Sequence, residues 1–290
     1  MAKKIAKRKT SLKKPKMNLF QLSWFILKEN PVLFLPNILL LISNLILFLC
    51  LIKITGISSA VLNNNYGVLK ESIFSSWFII TVIGYFIVTL LIDNYFITAK
   101  YGLIKQVLLK GHAKFSDGLK FAKKYYLTTI GIHVISFLIV FVPLLILAAL
   151  LFLLLPFSKL VAISIFIPLA VIYFLYISIR LIFVYPVMTF ESDGAYTSLK
   201  ENFHFVKTHL HHTLLTWLIV MGVSIFISIF RENLIEVQSM LHQQLVLIGF
   251  LLIAIIIVVE IAVSVWEQIF IFKSYLAARK PSKSKTKKKR

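Results

Sequence analysis

Long stretches without a single Asp, Glu, Lys or Arg alternate with short charged ones along this chain. The charge-free windows are Asn30–Ile52, Ser72–Ile92, Tyr125–Ser158, Leu160–Ile179, Thr208–Phe230 and Val237–Val259. A hydrocarbon core about 30 Å thick needs about 20 apolar residues as helix, so each window is long enough to cross it. The last window continues past Glu260 and Glu267 to Phe272. Six spans are expected, over about 33–53, 74–96, 127–155, 160–184, 210–230 and 245–272. Pro156-Phe157-Ser158-Lys159 is a turn signal, so the third and fourth spans are expected to form a tight hairpin. The pattern predicts an all-α fold, a polytopic membrane helical bundle. Its six-span domain covers 18–276, between basic tails at 1–17 and 277–290 whose composition favours disorder.

The connections carry a second, amphipathic pattern. Leu103, Ile104, Val107 and Leu108 form one helical stripe. Phe115, Leu119, Ala122 and Tyr126 form another, with Lys120, Lys123 and Lys124 facing away. Ala195, Leu199, Phe203, Val206 and Leu210 make a third, opposite Lys200, Glu201, His204 and Lys207. Asn18–Glu29 is apolar almost all round. These are candidate in-plane helices at the membrane surface. A loose threefold repeat is one reading, each unit an interfacial helix followed by a two-span hairpin. The units start near Asn18, Phe115 and Ala195, and Ser116-Asp117-Gly118 and Ser192-Asp193-Gly194 serve as helix starts for the last two. Chance similarity of two tripeptides is the other reading.

Composition narrows the class. Apolar residues are 59% of the chain and charged ones 15%, with a mean hydropathy of +0.89. Soluble proteins hold roughly 45–50% and 25%, so a soluble enzyme, a disordered chain and a disulfide scaffold are excluded. Cys50 lies inside an apolar run and has no cysteine to pair with. The basic N-terminus before an apolar stretch is similar to a signal peptide. The stretch is too long and no A-x-A site follows, so it reads as an uncleaved first span.

Lys and Arg number 32 against 11 Asp and Glu, a formal net charge of +21. Six spans put both termini on one side, and that side collects 27 basic residues against four opposite, Lys53, Lys70, Lys159 and Arg231, with Arg180 near the inner end of span four completing the 32. The positive-inside rule makes it cytoplasmic, in a multi-pass protein of the cell membrane. The expected partners are the lipid bilayer and its anionic lipids, at about 1 kcal/mol per Lys or Arg near the surface. A protein partner at the cytoplasmic face is possible, and nucleic acid is not expected. Lys120, Lys123, Lys124, Lys287, Lys288, Lys289 and Arg290 are the lipid-facing candidates. The last four also satisfy a dilysine retrieval signal, which a polybasic tail does by accident.

Ionisable groups at membrane depth are the leading functional suspects, because burial there costs at least about 2.5–3.5 kcal/mol each. Glu260 lies near the middle of span six, and Glu267 shares its helix face with Ser264 between them. Arg180 and Asp93 lie near the inner ends of spans four and two, and His133 two turns into span three. Packed inward, Arg180 would pair with Glu267 or Asp93, leaving Glu260 deeper. One reading is a proton- or cation-coupled site. The other is a salt bridge that locks the bundle, with interfacial charges that snorkel. Glu201-x-x-His204 is half of a di-iron motif without its second copy, and His209 and His212 are spaced to share a metal. The metal signal is weak, and interfacial aromatic polarity at the mouth of a helix is the favoured reading of these histidines. No cofactor is expected. There is no phosphate-binding glycine loop, no His-Glu-x-x-His and no Gly-x-Ser-x-Gly, so no enzyme activity is expected. Trp24, Trp77, Trp217 and Trp266 lie where an aromatic belt would.

Three stretches resemble a loose group of uncharacterised six-helix membrane proteins of bacteria and archaea. They are Trp24-Phe-Ile-Leu-Lys-Glu-Asn-Pro31, Tyr101-Gly102 with Phe115-Ser-Asp-Gly118, and Arg180-Leu-Ile-Phe-Val-Tyr-Pro186 with Glu191-Ser-Asp-Gly-Ala-Tyr-Thr-Ser-Leu-Lys200. That group is similar to the membrane domain attached to some glycerophosphodiester phosphodiesterases. The catalytic barrel of those enzymes has no counterpart here, so the resemblance implies architecture and no activity. Three functions follow in order: a non-enzymatic protein organising lipid and partners at the cytoplasmic face, a small transporter or channel using Glu260, Glu267 and Arg180, and a lipid-modifying enzyme using the inner histidines.

Overall fold

The computed structural model describes residues 18–55, 75–152, 159–242 and 246–279, and every regular element in them is helical. Helix α1 (Leu19–Glu29) starts where the Asn18 side chain accepts a hydrogen bond from the Gln21 N–H at 2.8 Å. A short 3-10 turn, Pro31–Phe34, leads into α2 (Leu35–Ile54). Helix α3 (Ser76–Lys110) is capped by the Ser75 hydroxyl and stops at Gly111, whose φ of 86° lies in the left-handed region that glycine tolerates. Then follow α4 (Phe115–Phe152), α5 (Lys159–Leu181), the short α6 (Val184–Phe190), α7 (Ala195–Thr208), α8 (Leu210–His242) and α9 (Val246–Arg279).

Six stretches are long and apolar enough to cross a membrane: Pro31–Ile54, Ser76–Lys110, Phe115–Phe152, Ile163–Phe190, Leu210–Gln238 and Leu247–Arg279. The six expected spans are therefore present, in an all-α multi-pass membrane protein. The boundaries differ in an instructive way. Leu103–Lys110 and Phe115–Tyr126 are not separate in-plane helices but continuous with α3 and α4. At 1.5 Å per residue the 35 residues of α3 reach about 52 Å, well beyond the hydrocarbon thickness. Nothing in the sequence breaks these helices where apolar gives way to amphipathic, so they run through the boundary. Only α1 and α7 remain as separate amphipathic helices, while the short α6 is buried along most of its length. The turn at 156–158 and the tail residues Lys287, Lys288, Lys289 and Arg290 lie outside the described residues.

The tripeptides 116–118 and 192–194 do not occupy equivalent places. Ser116-Asp117-Gly118 is inside the first turn of α4, while Ser192-Asp193-Gly194 precedes α7. Gly118 instead lets two helices touch. A Cβ there would sit 2.7 Å from Leu103 Cγ and 2.8 Å from the Ala99 carbonyl oxygen, and one at Gly102 would overlap Phe121 Cβ. The α3–α4 crossing needs both glycines.

The protein core lies at one end of the bundle, here called the basic end. It is built by α1, the close of α3, the start of α4, α6, α7, the start of α8 and the close of α9. Trp266 is fully buried, stacked on Trp24 at 5.6 Å between ring centroids and tilted against Phe20 at 4.8 Å. Tyr101 is stacked between Tyr185 at 4.7 Å and Phe272 at 5.6 Å. Phe183 and Phe205 close around Tyr275. Toward the opposite end the spans present bare apolar side chains, Leu49, Ile80, Phe86, Phe152, Phe226 and Leu247 among them.

Hydrogen bonds tie these apolar lengths together. Asn44 Nδ2 donates to Asp93 Oδ1 at 3.2 Å between α2 and α3, and the Tyr126 hydroxyl donates to the Leu91 carbonyl at 3.1 Å between α4 and α3. The Tyr173 hydroxyl of α5 donates to the Ile139 carbonyl of α4, and Trp217 Nε1 of α8 donates to Ser178 Oγ of α5 at 3.0 Å. Lipid tails are as apolar as the side chains, so polar links and close packing take over the role of hydrophobic attraction.

Candidate functional site

The ionisable residues singled out above find partners other than those expected. Glu260 of α9 pairs with Arg231 of α8, at 3.5 Å and with both side chains partly exposed. Glu267, seven residues on, faces α3 and lies in electrostatic reach of Lys100, a buried lysine. Asp93 is bonded to Asn44 and not to a cation. His133 Nδ1 bonds Asn94 Oδ1, and its ring tilts against Tyr185. Arg180 pairs with neither Glu267 nor Asp93. Its guanidinium lies 5.2 Å from the centre of the Tyr176 ring, one turn back on the same helix, and its carbonyl accepts from Asn202 Nδ2 at 2.6 Å.

Lys100 is legible in the sequence as an amine but not as a core residue. It stands three, four and seven residues before Leu103, Ile104 and Val107, on the stripe that α3 turns inward. Lys105 is the second inward lysine. Its Nζ donates to the Thr189 carbonyl at 2.6 Å and sits between the Phe121 and Phe190 rings at 5.5 and 5.8 Å. Two of the seven amines between 99 and 125 therefore turn into the protein instead of facing lipid.

The histidines disperse. His212 Nε2 is within hydrogen-bonding distance of both the Ser274 hydroxyl, at 2.8 Å, and the Ser274 carbonyl, at 3.0 Å. Ser274 Oγ in turn meets Thr216 Oγ1 at 2.6 Å. His209 turns the other way, stacked on Phe205 with Nδ1 3.2 Å from that residue's carbonyl. His204 lines a surface cleft with Glu191, Lys200, Glu201 and His209, of about 570 Å³. Glu191 is committed within it, accepting from the Tyr275 hydroxyl and pairing with Arg279 Nε at 2.9 Å. Among the described residues no group of three His, Cys, Asp or Glu converges to hold a metal ion.

A polar knot joins α4 to the turn before α7. The Tyr125 hydroxyl donates to Asp193 Oδ1 at 2.6 Å, Lys124 Nζ donates to the Tyr125 oxygen at 3.0 Å and lies 3.6 Å from the carboxylate, and the Thr128 hydroxyl donates to the Asp193 carbonyl. The Tyr125 hydrogen bond first, and the Lys124 charge second, hold the Asp193 carboxyl below its ordinary value. Lys124 is thereby tied to protein, while Lys120 and Lys123 on the same helix are exposed.

Beside Lys123 runs a groove of about 590 Å³, floored by Leu91, Ile92 and Phe96 of α3. Tyr95, Tyr126, Ser43 and Lys123 complete its lining. A third and smaller cavity lies between α1 and the close of α3. Glu260 lines none of the three. No family model, no curated protein and no solved structure matches the chain, and the polytopic all-α membrane architecture rests on the six long apolar helices themselves.

Proposed function

We propose that this is a non-enzymatic membrane protein that holds anionic lipid at its basic end, and organises partners there, with that end and both termini on the cytoplasmic side of the cell membrane. The observation that carries the reading is the exposure of Lys120 and Lys123 on α4, beside a folded layer that has already engaged Lys105 and Lys124. The excess of Lys and Arg on this side of the six spans supports it, since amines near an anionic surface attract at about 1 kcal/mol each. The tail from 280 adds seven more basic residues to the same side.

The test uses the full chain in detergent with added phosphatidylglycerol or phosphatidylcholine, melted at low and high salt. A ligand that binds only the folded state raises its Tm, and exposed charges lose their attraction within a Debye length of about 8–10 Å. Phosphatidylglycerol is expected to raise Tm more than phosphatidylcholine at low salt, with the gap narrowing at high salt. Deleting residues 281–290 is expected to reduce the gap further. Equal shifts from both lipids would overturn the reading.

A further inference from the structure

We propose that the groove between α2, α3 and α4 is a binding site for one anionic glycerophospholipid, its phosphate against Lys123 and one acyl chain along Leu91, Ile92 and Phe96. This rests on the basic-end reading and names the place and chemistry of the contact. The groove has the composition of a lipid in reverse. Its floor is apolar, and its single charged lining residue is a cation. Its volume of about 590 Å³ falls within the roughly 300–1,000 Å³ of small-ligand sites.

The level of the groove along the helices also fits. Tyr95 and Tyr126 meet edge to face at 5.9 Å between ring centroids, and tyrosine favours the zone where hydrocarbon gives way to headgroups. Lys123 stands one turn beyond Tyr126, toward the basic end, where a flexible ammonium reaches headgroup oxygens while its stem covers apolar surface. Leu91 and Ile92 stand one turn the other way from Tyr95, toward the acyl region. The Tyr126 hydroxyl bond to the Leu91 carbonyl pins the two walls, so the groove is formed before a ligand arrives. The charge selects an anionic headgroup, and the walls select a chain.

Native mass spectrometry of the full chain, titrated with phosphatidylglycerol or phosphatidylcholine, tests this. The wild-type chain is expected to prefer phosphatidylglycerol. Lys123→Gln should weaken phosphatidylglycerol about fivefold and leave phosphatidylcholine unchanged, the equivalent of one surface lysine. Leu91→Trp fills the floor and should weaken both lipids. Lys207→Gln, exposed on α7 and outside the groove lining, removes the same charge and should change neither by more than about twofold, since exposed charges beyond a Debye length of about 8–10 Å are screened. Each variant is first checked for an unchanged Tm without lipid. If Leu91→Trp fails that check, Lys123→Gln alone decides. An anionic preference that survives Lys123→Gln, or falls equally in Lys207→Gln, overturns the groove and leaves the basic-end reading in place. No preference in the wild-type chain overturns the basic-end reading itself.

Discussion

Replacing Gly118 by alanine tests how α3 and α4 are held. The added methyl would lie 2.7 Å from Leu103 Cγ and 2.8 Å from the Ala99 carbonyl oxygen, where ordinary contact begins near 3.4 Å. A leucine tip can turn aside, but the Ala99 oxygen belongs to the α3 backbone and moves only if the helix moves. Gly102→Ala meets the same obstacle from the other side, since the overlapping Phe121 Cβ is fixed to the backbone of α4. Overpacking of this kind costs about 1–3 kcal/mol. Alanine returns up to about 1 kcal/mol through its better helix propensity. With backbone in the way the cost lies at the upper end, so the net loss is about 2 kcal/mol. At about 2–4 °C per kcal/mol that lowers Tm by roughly 4–8 °C. Gly84 and Gly222 have nothing within 4 Å of where a methyl would stand, so alanine there brings only the propensity gain. Melting the four variants in one detergent, followed by size-exclusion fluorescence, gives the comparison. If Gly118→Ala melts at or above Gly84→Ala, the close crossing is not what holds these helices.

Glu191→Ala leaves the buried Tyr275 hydroxyl without its acceptor and Arg279 without its partner, and is expected to destabilise by about 1–3 kcal/mol in thermal melts. Glu191→Gln keeps an acceptor for Tyr275 and should lose less, so equal losses would remove the hydrogen bond from the account. Asp193 contributes stability above the ordinary aspartate value of about 3.9, and loses it as pH falls through its lower folded value. The Tm gap between wild type and Asp193→Asn should therefore be flat near neutral pH and shrink in acid, and a gap that widens in acid contradicts the sign. Arg231→Gln and Glu260→Gln should interact in a double-mutant cycle, the double losing less than the two singles added. Additivity within about 0.3–0.5 kcal/mol would show the pair to be energetically silent.

The six spans are legible in the sequence because a membrane helix announces itself by length and by missing charge. The ends of the helices are not. Charge-free windows stop at Ile92 and start at Tyr125, yet α3 continues to Lys110 and α4 begins at Phe115, because a lysine ends a hydrophobic run without ending a helix. The same confusion hides the buried amines. Counting Lys100 and Lys105 with the surface charge misses their geometry, since both stand on the face that α3 turns to the core. Depth alone pairs Arg180 with an acid at its own level, but depth along a helix says nothing of rotation about it. Rotation brings Glu267 within electrostatic reach of Lys100 and leaves Arg180 over Tyr176. Lys123 stands out in the sequence as lipid-facing. The groove beside it is invisible there, because it depends on three helices meeting.

The position of the core follows from what drives packing in each medium. Within hydrocarbon, bringing two apolar helices together releases no water, so the spans are joined by sparse polar links such as Asn44 to Asp93 and Trp217 to Ser178. Where α3, α4 and α9 overrun the about 30 Å of hydrocarbon, their apolar faces meet water, and the hydrophobic effect returns at full strength. Trp266, Tyr101, Phe183, Phe270 and Tyr275 are buried in that overrun layer, and α1 and α7 close over it. The overrun gathers the aromatic core at one end of the bundle, and on the proposed reading it also sets the exposed lysines at headgroup level. A chain whose helices ended with their hydrophobic windows would lack the layer that holds the hairpins together, and with it the wall of α4 that places Lys123 beside an apolar groove.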